Sequence, residues 1–111
     1  SIHYPLNGRT RNLIGRNELD KMKRSAIIIN VARGGIIDEQ ALAEALDADK
    51  IRGAALDVFT SEPINPDSPL LKIVDPCKLL ASPHNAWSTV EAIDRLIGCV
   101  ANNIREYLNN L

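Results

Sequence analysis

The sequence predicts an α/β chain in which three strands form part of a doubly wound parallel sheet and a long helix closes the C-terminus. Two observations carry this prediction. Apolar runs without polar alternation recur at "AIIINVA" (26–32), "GAALDVF" (53–59) and "KLLAS" (78–82), the pattern of strands buried on both faces. Helical patterning follows the first run, and such alternation of strand and helix marks a parallel sheet with helices packed on it. Parallel neighbours of this kind are joined by right-handed crossovers.

The elements follow in order. "NLIGRNELDKMK" is expected to hold a short helix with Asn17 as its N-cap. After the first strand, "IIDEQALAEALDADKI" reads as a helix capped by Asp38, with Leu42, Ala45 and Leu46 forming an apolar stripe at helical spacing. The stretch 60–78 holds Pro63, Pro66, Pro69 and Pro76, four of the six prolines, and reads as loop. A last helix is expected over about 88–109. Its opening "STVE" fits a capping box, with Ser88 accepting from the third amide and Glu91 reaching back. Val90, Ile93, Ile97, Val100, Ile104 and Leu108 keep its spacing. Residues 1–87 thus read as one sheet-bearing unit and 88–111 as the long helix.

Bulk composition narrows the function classes. The chain has 111 residues, 45% of them hydrophobic, and a formal net charge of −1, which suits one globular domain with a modest core. The 13 basic residues are dispersed, the densest group being "KMKR" at 21–24, so no nucleic-acid patch is expected. No apolar run reaches the length of a membrane span and no secretion leader is visible, so the cytoplasm is the expected setting. Cys77 and Cys99 lie far apart without metal-ligand spacing and are read as reduced thiols; no metal site is expected. The chain opens on "SIHYPLNG" without an initiator Met and reads as a piece of a longer protein.

Open parallel sheets bind ligands beyond the carboxyl ends of their strands. Arg33, Gly34 and Gly35 follow the first strand, Ser61, Glu62 and Pro63 the second, and Pro83, His84 and Asn85 the third. A cation, a carboxylate and an imidazole therefore meet at one edge. Arg33 can clamp a carboxylate with two hydrogen bonds. His84 suits general acid–base work near neutral pH. Glu62 bonded to it would favour the protonated imidazole and fix its tautomer. Gly34 and Gly35 would let the backbone approach a ligand. Taken singly, each residue is more ordinary: a solvated arginine, a structural histidine, a solvated glutamate. Asp57, inside an apolar strand, needs partners or a cleft and reads equally as a buried cap of nearby backbone. Trp87 fits core or pocket wall, core being favoured, and His3 a structural turn.

Together, "HYPLNGRTRNLI" (3–14), "LDKMKRSAIIINVARGGIIDEQALAEAL" (19–46), "IRGAALDVFTSEP" (51–63) and "SPHNAWST" (82–89) resemble the D-isomer-specific 2-hydroxyacid dehydrogenases, the group that includes glycerate and phosphoglycerate dehydrogenases. The resemblance runs over nearly the whole chain and implies the C-terminal part of a Rossmann-like cofactor domain, with the last helix returning toward a substrate domain. It implies hydride transfer between NAD or NADP, NAD being favoured, and a small 2-oxo or 2-hydroxy acid, in a parent enzyme expected to be a homodimer. Position by position, it implies that Arg33 orients the substrate, Glu62 pairs with the histidine and His84 is the general acid–base. Tyr4, Pro5, Val31, Ala32, Arg33, Asp57, His84, Asn85, Ala86 and Trp87 would line the dinucleotide. The chain departs from the family in lacking a G-x-G-x-x-G turn and the acidic residue that follows it. The bulky Trp87 in "HNAW" also departs from the commoner small residue and would bias substrate size. These departures leave room for a non-catalytic module that folds by self-association, and for a sensor built on the same scaffold.

Overall fold

A computed structural model describes all 111 residues. Helix α1 (Arg16–Asp20) precedes strand β1 (Ile27–Asn30); α2 (Glu39–Asp47) leads to β2 (Gly53–Leu56), and β3 (Leu79–Ala81) leads to α3 (Val90–Asn109). The three strands form one parallel sheet in the order β1-β2-β3, with Asn30 paired to Leu56 and Leu56 to Ala81. All three therefore end at one level, and the residues that follow them share one edge. Ile2 adds a parallel bridge to Asn30 on the outer side of β1, donating its amide to Ile29 at 2.9 Å. The strands are shorter than the apolar runs suggest, because the chain turns out of the sheet at Val31, Asp57 and Ser82.

The core lies between the sheet and α2. Leu42, Ala45 and Leu46 are buried as their spacing predicts, against Leu19, Ile28, Ile51, Leu56 and Phe59. Asp38 caps α2, its carboxylate accepting from the amides of Gln40 and Ala41, each at 3.0 Å. The loop over 60–78 contains two 3-10 turns, each opened by a proline and capped by Ser68 or Asp75.

Three expectations need correction. The cap of α1 is Gly15, whose amide donates to Glu18; Asn17 lies inside the helix. The cap of α3 is Thr89, which accepts from the Ala92 amide at 3.2 Å, while the Ser88 hydroxyl donates to the Asn85 carbonyl at 2.7 Å. Ser88 is thus drawn into the preceding turn and the helix starts one residue later. Finally, β1 is not buried on both faces. Ile28 and Asn30 are covered, but Ile27 and Ile29 are 55% and 39% exposed, because α1 and α2 shield only one side of the sheet. Helix α3 likewise buries none of its residues, and its apolar stripe lies open. No helix is long and apolar enough to cross a membrane. Cys77 and Cys99 are free and exposed.

Candidate active site

The edge beyond the three strands holds Arg33, Glu62 and His84, as the sequence predicts. The turn after β1 is organised by Asn30, which is 2% exposed. Its side-chain carbonyl accepts from the Ala32 amide at 3.0 Å and its amide group donates to the Arg33 carbonyl at 2.9 Å. A buried amide needs such partners, and Asn30 finds both in the segment that carries the guanidinium. Arg33 itself donates through Nη1 to the Ala32 carbonyl at 2.7 Å, so its head folds back over its own turn.

Gly34 serves a different purpose from the one expected. A Cβ at this position would lie 1.8 Å from the Phe59 carbonyl oxygen. The close approach is between two backbone segments, not between backbone and ligand. It locks the turn after β1 against the turn after β2. Gly35, at φ +78°, supplies the left-handed step that leads the chain toward α2.

The turn after β2 carries Glu62. Its Oε1 accepts from the Phe59 amide at 3.0 Å and its Oε2 faces His84 Nδ1 at 2.7 Å. The bonds from His84 and Phe59 hold its carboxyl below the usual glutamate value, so the carboxylate form prevails. With Nδ1 engaged, His84 presents Nε2 to the crevice.

His84 sits in the left-handed region, at φ +54°, a conformation that histidine tolerates better than most residues. Asp57 explains what holds it there. The Asp57 carboxylate is buried and accepts from the Ser82 hydroxyl at 2.5 Å, the Asn85 amide at 2.9 Å and the Ala86 amide at 2.9 Å. It therefore grips the chain on both sides of His84. Burial pushes its carboxyl up, but these three bonds outweigh burial and bring it below the usual aspartate value. Of the two readings open for Asp57, the cap of nearby backbone is observed, and the side chain also reaches the crevice wall.

Val31, Arg33, Asp57, His84, Ala86 and Trp87 together line a cavity of about 330 Å³ at this edge. Trp87 is therefore pocket wall rather than core. It is 62% exposed, and its indole Nε1 donates to the His84 carbonyl at 2.9 Å. Of the remaining sequence-predicted residues, Ala32 and Asn85 contribute backbone amides to the bonds above. Tyr4 and Pro5 lie outside this cavity. They follow the Ile2 bridge beyond the end of β1, and Tyr4 is exposed. Glu62 and His84 also border a second cavity of about 480 Å³, with Phe59, Pro63, Ile64, Ala81, Ser82 and Pro83. Asn30 and Ser82 were not singled out from the sequence. An amide closing an isoleucine run is the signal that marks Asn30; Ser82 carries none of its own.

Comparison with known proteins places this arrangement. Residues 1–86 match the family described as D-isomer specific 2-hydroxyacid dehydrogenase, NAD binding domain. The chain belongs to this family. It is 47% identical to a D-3-phosphoglycerate dehydrogenase from Methanocaldococcus jannaschii over 97% of its own length and 20% of the relative's. It is 43% identical to a glycerate dehydrogenase from Methylorubrum extorquens, over 97% of its length and 34% of that protein's. Among solved structures, an acyclic imino acid reductase in complex with NADPH and D-Arg superimposes with a TM-score of 0.82 at 34% identity, over 97% of this chain and 33% of that one. The chain thus spans a fifth to a third of the relatives it matches. Val31, Ala86 and Trp87 give the crevice apolar walls, and Arg33, Asp57 and His84 the polar remainder. No G-x-G-x-x-G turn for a pyrophosphate occurs in the sequence.

Proposed function

We propose that this chain carries the catalytic edge of an NAD-dependent D-2-hydroxyacid dehydrogenase that interconverts a small 2-oxo acid and its D-2-hydroxy acid, with glycerate and hydroxypyruvate as the substrate type. The observation that supports it is the Glu62–His84 pair at 2.7 Å in a crevice shared by His84 and Arg33. Arg33 binds the substrate carboxylate through its guanidinium fork. His84, held by Glu62 through Nδ1, delivers a proton from Nε2 to the carbonyl oxygen in reduction and takes it back in oxidation. Bound NAD(H) supplies or accepts the hydride. The Glu62 carboxylate, bonded to Nδ1, holds the imidazole ring in one orientation. Val31, Ala32, Asp57, Asn85, Ala86 and Trp87 shape the nicotinamide end, with Tyr4 and Pro5 at its rim.

NAD is favoured over NADP. Residues 1–87 act as the C-terminal portion of the cofactor domain, and 88–111 as the helix that returns toward a substrate domain. The parent protein is a cytoplasmic homodimer, and the 111 residues alone do not turn over substrate. In the full-length parent, Arg33→Ala, Glu62→Gln and His84→Ala are each expected to lower kcat/KM for hydroxypyruvate by about 10²-fold or more. Wild-type rates for His84→Ala would overturn the assignment.

A second reading is supported by the open face of β1 and the apolar stripe of α3. In it the chain is a non-catalytic module that folds by self-association. Sedimentation of the isolated chain tests it: a folded monomer excludes it.

A further inference from the structure

Asn30 lies outside the catalytic trio, yet both ends of its side-chain amide and its backbone carbonyl are committed to the catalytic edge. Its side chain closes the turn over 31–33 from both ends, accepting from the Ala32 amide and donating to the Arg33 carbonyl. Its backbone carbonyl accepts from the Asp57 amide at 3.0 Å, and Asp57 in turn grips the turn around His84. A simple filler of the sheet interior would be apolar, as Ile28 is on the same face. The three bonds through Asn30 and the one from Arg33 Nη1 to the Ala32 carbonyl together fix where the guanidinium starts and which way it leaves the chain.

We propose that Asn30 is a positioning residue that sets the affinity for the substrate carboxylate through Arg33. This rests on the assignment of Arg33 as the carboxylate clamp. The side-chain bonds of Asn30 hold the Arg33 turn, while the register of β1 with β2, the backbone bond to Asp57 and the packing of Gly34 against Phe59 are made by backbone atoms. Loss of the amide group therefore loosens the arginine while leaving the histidine turn in place. The kinetic signature is a loss of binding that ground and transition states share, so KM for the oxo acid rises and kcat is spared.

The test uses the full-length parent enzyme with two variants. Asn30→Ser removes the reach of the amide without adding charge. Asn30→Asp keeps the acceptor for the Ala32 amide but sets a carboxylate oxygen against the Arg33 carbonyl, and the folding of both variants is checked by circular dichroism. KM for hydroxypyruvate and Kd for oxamate, measured by calorimetry in the presence of NADH, are each expected to rise about tenfold, the equivalent of one charge-assisted hydrogen bond. The value of kcat is expected to stay within about threefold of wild type. Combined with Arg33→Lys, which lacks the fork, Asn30→Ser is expected to add little further loss, because residues acting through one another are not additive. Fully multiplicative losses, or a fall in kcat equal to the rise in KM, would overturn the positioning role. If Arg33→Lys binds oxamate as wild type does, the assignment of Arg33 itself fails. If Arg33→Lys weakens oxamate and neither Asn30 variant does, only the role of Asn30 fails.

Discussion

Gly34→Ala is the most exacting single change the structure offers, because the added methyl collides with the Phe59–Thr60 peptide group. Its Cβ would stand 1.8 Å from the Phe59 oxygen, 2.1 Å from the Phe59 carbonyl carbon and 2.7 Å from the Thr60 nitrogen. Carbon–oxygen contacts below 3.0 Å are not sustained, so the two turns must separate by about 1.2 Å, the difference between 3.0 and 1.8 Å. No side chain can rotate away to absorb this. The turn after β1 is also held by Asn30, and the turn after β2 by the bond from the Phe59 amide to Glu62. Separation strains both. Overpacking together with one or two weakened hydrogen bonds is expected to cost about 3–5 kcal/mol. The same displacement moves Arg33 away from Glu62 and His84, and a misplacement of about 1 Å lowers kcat/KM by about 10²-fold. Urea denaturation of the full-length parent reads the stability and NADH oxidation with hydroxypyruvate reads the activity. Gly8→Ala is the control. Nothing lies within 4 Å of a Cβ there, and a change within about 0.5 kcal/mol is expected. A Gly34→Ala midpoint indistinguishable from that of Gly8→Ala would refute the claim that the two turns are locked by backbone contact.

Other outcomes follow from the same geometry. Asp57→Asn places an NH₂ group where a buried carboxylate oxygen now accepts from N–H or O–H donors, and is expected to cost about 1–3 kcal/mol in urea denaturation while loosening the His84 turn and lowering turnover. Glu62 and Asp57 have folded values below their ordinary 4.5 and 3.8, so the unfolded chain binds more protons as acid is added. The stability they contribute is therefore complete above about pH 5 and lost as pH falls through their depressed folded values, and a double Glu62→Gln, Asp57→Asn variant is expected to flatten that acid limb in denaturation measured from pH 7 to pH 3. Trp87→Phe keeps an aromatic wall but loses the indole bond to the His84 carbonyl; a fall in turnover of less than about tenfold is expected in steady-state assays, and a loss as large as that of His84→Ala would show that the indole does more than brace the turn.

The sequence carried the site further than it carried the packing. Strand ends are legible because apolar runs stop where the chain leaves the sheet, and a parallel sheet puts all such ends on one edge. That is enough to bring Arg33, Glu62 and His84 together, and the family resemblance attaches chemistry to them. Asp38 and the stripe of Leu42, Ala45 and Leu46 are equally legible, since caps and helical periodicity are local. What the sequence hid depends on approach between distant segments. Gly34 and Gly35 look alike in "RGG", yet one avoids a collision with Phe59 and the other takes a positive φ. Ser88 and Thr89 are both competent caps, and only the Asn85 carbonyl, brought near by the turn, decides between them. The run of three isoleucines implies cover on both faces of β1, but α1 and α2 lie on one, so Ile27 and Ile29 remain open.

A guanidinium just beyond the isoleucines of β1 needs a physical reason, because a charge at that point must stay hydrated or be held by ordered partners. Asn30 supplies the order. It is the last residue of β1, points to the buried face, and spends both ends of its amide on the two peptide groups that carry the chain out of the sheet. The strand's own final side chain thus shapes the turn that lifts Arg33 into the crevice. The neighbouring strand repeats the device: Asp57, the first residue beyond β2, is buried and turns its carboxylate onto the chain around His84. Each reactive group is thus mounted on a turn pinned by a buried polar side chain at the mouth of the sheet. Neither pin needs to touch substrate for its loss to displace the group it supports.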